Sequence, residues 1–187
     1  MGQAGPIRTA TATTLPEGKF SFGTQAEFID LDQFSDNELL GFSDHGKDAH
    51  TAESVFHSIL SMGYGITDNL TISLKASYEK ISDIREAHSD EPGEIHRHGS
   101  AKGFGDLTVM GQYRFLKTDN KFETALFLGL KMPTVKTNDR DIHGETFEAE
   151  FLPGTGSWNP IIGIAATKRY GKVSLDGNLL YTFGTRG

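Results

Sequence analysis

Seven histidines are the residues in this 187-residue chain best suited to chemistry, and six of them fall in three polar, carboxylate-rich stretches. His45 and His50 lie in the first, His88, His96 and His98 in the second, and His143 in the third. Imidazole and carboxylate groups together are ligands for zinc or copper. His96 and His98 share a face of any extended segment, with Glu94 on the same side. A tetrahedral site also needs fixed geometry and hydrogen bonds behind its ligands, which a flexible acidic loop rarely supplies. The stretches are therefore read as solvated surface loops with no metal or cofactor assigned. His88, His96 and His98 are the weak candidates should a metal bind.

His57 stands beside Ser54 and Ser58, the only adjacent pairing that could make a serine nucleophile. Such an enzyme needs a Ser–His pair oriented by a third group. Ser58 points to the opposite side of the chain from His57, and no nucleophile elbow is present, so the sequence is not read as an enzyme. Gly103-Phe104-Gly105 and Gly154-Thr155-Gly156 lack the following helix that would hold a phosphate. They fit better as places where a strand begins. The absence of cysteine removes disulfides, thiolate metal sites and cysteine nucleophiles. A net charge of −7 without a basic patch argues against nucleic acid as a partner.

The elements that would position these groups are alternating segments. Between Gly103 and Pro133, Leu107, Val109, Gly111, Tyr113 and Phe115 face one way, and Thr108, Gln112 and Arg114 the other. After a polar turn at Lys117–Asn120, Phe122, Leu126, Leu128, Leu130 and Met132 oppose Glu123, Ala125, Gly129 and Lys131. A period of two across a short turn is a β-hairpin. The same alternation predicts strands over Lys19–Leu31, Val55–Ile66, Leu70–Ile81, Ser157–Tyr170 and Lys172–Phe183, with Gly171 alone turning the last pair. One domain, 1–187, results: a leading polar segment at 1–17, then seven strands from about 19 to 183. Long loops at 32–51, about 82–102 and about 135–156 alternate with turns of a few residues. No helical periodicity of useful length is present.

The expected fold is all-β, an antiparallel transmembrane β-barrel built as a meander. Long loops fall at one end of the sheet and short turns at the other, aromatics gather near strand ends, and the polar face mixes both charge signs. A composition of 36% apolar residues with 22 glycines and 13 phenylalanines fits that architecture better than a soluble α/β enzyme. No apolar run is long enough for a membrane-spanning helix.

Three segments carry a family resemblance: GFGDLTVMGQYRFL, LFLGLKMPTVKT, and LPGTGSWNPIIGIAATKRYGKVSLDGNLLYTF. Together they resemble the outer-membrane transporters of the MetA-pathway of phenol degradation family, and the similarity extends weakly to residues 7–36. The resemblance implies a Gram-negative outer-membrane barrel that passes small molecules, aromatic or hydrophobic ones included.

On this reading the lumen is lined by Gln25, Glu27, Lys75, Thr108, Gln112, Arg114, Lys131, Asp176 and Asn178. The partners are membrane lipid, a small-molecule solute and the outer-membrane assembly machinery. An odd strand number, no apolar leader and a last residue that is not aromatic lead to the expectation of a fragment of a larger barrel, with its signal peptide removed or truncated. Two alternatives stand beside it. One is a soluble lipocalin-like barrel that binds small molecules with its apolar face inward. The other is a plugged structural barrel whose external loops bind a partner or metal.

Overall fold

A computed structural model describes residues 10–135 and 154–185; His143 and most of the third loop lie outside them. The elements in chain order are β1 (Phe20–Asp30), α1 (Asp36–Asp44), β2 (Ala49–Thr51), β3 (Ser54–Thr67), β4 (Leu70–Ala87), β5 (His96–Phe104), β6 (Leu107–Lys117), β7 (Phe122–Met132), β8 (Asn159–Tyr170) and β9 (Val173–Thr182). The main wall follows the order β1-β3-β4-β6-β7-β8-β9, antiparallel throughout and curled into a half-barrel. These are the seven expected strands, with boundaries shifted by up to two residues except at β4. Two more, β2 and β5, flank β4 off this path.

Tight turns hold one end of the wall. Asp68 and Asn69 join the paired Thr67 and Leu70, and Gly171 with Lys172 joins Tyr170 to Val173. The last hairpin thus turns on two residues rather than on Gly171 alone, with Gly171 at φ +58°. That conformation strains any residue bearing a Cβ.

Both long loops that are described hold more structure than expected. The first contains α1, opened by a reciprocal cap in which Glu38 N donates to Ser35 Oγ and Ser35 N donates to Glu38 Oε2. The S-x-x-E signature was present in the sequence, but the helix is one short stretch with little periodicity to reveal it. Its Leu39 is fully buried. The second supposed loop is mostly strand: β4 continues to Ala87, and β5 pairs back along it from Glu86↔His96 to Tyr78↔Phe104. Register shifts between Ile81 and Arg85, with Asp83 at φ +50°, break the alternation there. Ile81, Ile84 and Ala101 form a small core under this extension.

The two faces of the wall differ sharply. Phe20, Phe22, Leu60, Leu128, Ile164, Leu175 and Leu179 are all exposed on the outer face. On the inner face Met110, Ala125, Phe127 and Ala165 are buried together with Ala12 of the leading segment. The apolar stripe of each strand therefore looks outward, opposite to a lipocalin-like arrangement. Phe127 and Met110 belong to the inner face although neighbouring alternation is polar there; the run Leu126-Phe127-Leu128 hides this in the sequence.

Candidate functional site on the inner face

Cross-strand pairing aligns the inner residues in rows. One row reads Thr71, Gln112, Phe127, Gly163 and Leu180, and the next Arg114, Ala125, Ala165 and Asn178. Paired residues in a ladder share a face, so each row crosses the wall as a band of side chains. Lys75, Thr108, Lys131 and Asn159 form a third row nearer the opposite end. There Lys131 Nζ lies 3.7 Å from Asp106 Oδ2, and the same oxygen accepts from Thr155 N at 2.8 Å. A further row places His57 between Glu27 on β1 and Glu79 on β4. Ser58 lies on the outward face, so no Ser–His pair forms there.

The leading polar segment, described from Ala10 onward, lies across these rows as a strap. Ala10 N donates to Asn178 Oδ1 at 3.1 Å, and Ala12 N to Thr167 Oγ1 at 2.9 Å. Gln112 Nε2 donates to the carbonyls of Thr11 and Thr13 at 2.9 and 3.2 Å. Thr13 Oγ1 donates to Glu123 Oε2 at 2.7 Å, and Leu15 N to Thr71 Oγ1 at 2.8 Å. The strap thus crosses from β9 to β4 with five of its backbone groups held by wall side chains, since buried peptide groups require partners. Beyond it, Gly65 allows a close approach: an added Cβ there would meet Pro16 O at 2.1 Å.

Behind the strap, toward the short turns, sits a charged cluster. Arg114 Nη1 is 3.4 Å from Glu123 Oε1, and Arg114 Nη2 donates to Asp68 O at 2.8 Å and to Asn69 Oδ1 at 3.0 Å. Arg169 Nη2 lies 3.9 Å from Glu123 Oε2. Together with Lys117 these groups line a cavity of about 530 Å³. Its polar walls suit a small hydrophilic solute or ordered water.

Of the nine lumen residues named from sequence, Gln112 and Asn178 hold the strap directly. Arg114 and Asp176 act one contact away, Asp176 by accepting from Thr167 Oγ1 at 2.6 Å. Lys75, Thr108 and Lys131 line the other half of the face. Gln25 and Glu27 occupy the inner positions of β1, half-buried. Sequence reasoning missed Thr11, Thr13, Glu123, Thr167 and Phe127 as part of this site. The four threonines in the leading segment were the available signal, since they offer hydroxyls without bulk. Comparison with family models, curated proteins and solved structures finds no match for this chain.

Proposed function

We propose that the chain forms wall of an outer-membrane β-barrel that passes small solutes along its polar inner face, with the strap as a constriction. The observation carrying this reading is the inversion of the sheet: large apolar side chains stand exposed outside while Gln112, Arg114, Glu123, Thr167 and Asn178 face inward. Exposed aromatics mark both ends of the outer face. Phe20, Tyr113, Phe115 and Tyr170 stand near the short turns, and Phe28, Phe104, Trp158 and Tyr181 near the opposite end. Phe20 and Phe28 are about 27 Å apart along their strand. That is of the order of the ~25 Å apolar band flanked by aromatic girdles in such barrels. The resemblance to the MetA-pathway family supports the same reading, with lipid around the wall, assembly by the outer-membrane machinery, and aromatic solutes among the cargo.

Protein reconstituted in planar bilayers is expected to give discrete conductance steps. The substitutions Q112A and T13V, which release the strap, are expected to raise the step size. Folded, inserted protein that passes neither ions nor small solutes would overturn the reading. The strap's hydrogen bonds favour a second reading, a barrel plugged at rest, in which only the Q112A and T13V forms conduct.

A further inference from the structure

The end of the sheet opposite the short turns carries imidazoles and carboxylates that the inner wall does not use. There β4 is flanked by β2 on one side and β5 on the other. Glu86 of β4 pairs with His50 across one ladder and with His96 across the other. Residues paired across a ladder share a face, as do residues two apart along a strand. His98 therefore joins His96, and His88 follows Glu86 just past the end of β4. The strands supply the fixed geometry that a flexible loop would lack.

The distances bring these groups together. Glu86 Oε2 lies 3.4 Å from His88 Nε2 and 3.2 Å from His98 Nε2. The His96 ring centre is 5.4 Å from that of His88 and 6.4 Å from that of His98. From the hairpin loop, Glu91 Oε2 reaches His96 Nε2 at 2.7 Å. The ligand atoms of Glu91, Glu94 and His96 all fall within 4.8 Å of one another. A tetrahedral zinc with bonds of 2.0–2.1 Å holds its ligands about 3.4 Å apart, so modest rotation of the exposed Glu91 and Glu94 closes the set.

A second observation comes from Glu86, which is only 2% exposed. Its Oε1 is buried with no hydrogen-bond partner among the described residues. A buried carboxylate oxygen without a donor is costly, and a cation beside it relieves that cost.

We propose that the tip of the β4–β5 hairpin is a binding site for a divalent transition metal of the zinc class. His96, Glu91, Glu94 and His88 are the ligands, and Glu86 orients His88 and His98 from behind. Mixed imidazole and carboxylate ligation selects zinc, copper or nickel over calcium or magnesium, which take oxygen sets. A buried carboxylate against an imidazole is the usual support of a histidine ligand. The bound metal would tie the tips of β4 and β5 together at the rim. The inference does not depend on the transport reading.

Full-chain protein, its β-structure checked by circular dichroism, is titrated with zinc chloride by calorimetry. Cobalt(II) absorption reports the geometry. One zinc per chain is expected, with affinity falling as pH falls because the ligands must bind unprotonated. H96A and the double variant E91Q/E94Q are expected to lose at least tenfold in affinity, H88A about tenfold, and H45A nothing. Tetrahedral cobalt bands should appear in the parent and vanish in H96A. Zinc uptake undiminished in folded H96A, no uptake by the folded parent, or an equal loss in H45A would each overturn the proposal.

Discussion

Arg114 is 8% exposed and divides its guanidinium between Glu123, Asp68 O and Asn69 Oδ1. Glu123, at 4% exposure, depends on it for its nearest cationic partner. Removing one member of a buried ion pair strands the other, at a cost of about 3–5 kcal/mol. R114A is therefore expected to lose roughly that much in a urea titration of the folded protein, whereas replacing both residues with apolar ones of similar volume should cost far less. Alternation alone placed Arg114 on the polar face. Its pairing was not legible, because the ladder sets Ala125 opposite Arg114 and Lys117 opposite Glu123, so the two charges meet diagonally. Alternation leaves Phe127 unassigned to either face. Its parity matches Glu123 and Ala125, but three consecutive apolar residues gave no alternation to read.

At the scale of elements, the region beyond the wall is held by short polar contacts. Asp36 in the first turn of α1 takes Arg85 Nη1 at 2.5 Å and Arg97 Nη2 at 2.6 Å, joining the helix to paired positions on β4 and β5. Asp48, just before β2, accepts from Ser89 N at 2.7 Å. That backbone bond first, then the Ser89 side chain, with smaller help from His88 and His50, holds the Asp48 carboxyl below the ordinary aspartate value of 3.8. A depressed folded-state pKa contributes stability that is present above the unfolded value and lost as pH falls through the folded one. Amide exchange at Ser89 is thus expected to stay protected near neutral pH and to lose protection as pH drops below about 3.8. Protection that persists unchanged well below that range would contradict the assignment. Ser35 was readable as a cap from its spacing to Glu38, but the pairing of β5 with β4 required contacts that skip the hairpin tip.

For the molecule as a whole, the apolar stripes stand exposed on the outer face, with Leu128 at 58%, Leu175 at 62% and Leu179 at 73%. If lipid covers that face, a charge in its middle is costly, by about 2–4 kcal/mol for Lys near the bilayer centre. L128K is expected to lose that much when folding into lipid vesicles is measured. A water-covered face would make the same change nearly neutral or favourable. The wall's geometry adds a constraint. β1 and β9 run in the same direction at its two open edges, so an antiparallel closure takes an odd number of further strands between them.

The sequence by itself determined the seven strands of the wall, because a period of two records which side of each strand must avoid water and needs no distant partner to be seen. It also determined which residues share a face, and hence most of the inner wall from Lys75 to Asn178. Only the tertiary structure decided that the leading threonines lie against that wall. Hydrogen bonds such as Ala12 N to Thr167 Oγ1 join residues far apart in the chain, and no local pattern encodes them. It alone also turned scattered loop histidines into one cluster, because His50, Glu86 and His96 meet through strand register, which is set by the whole sheet.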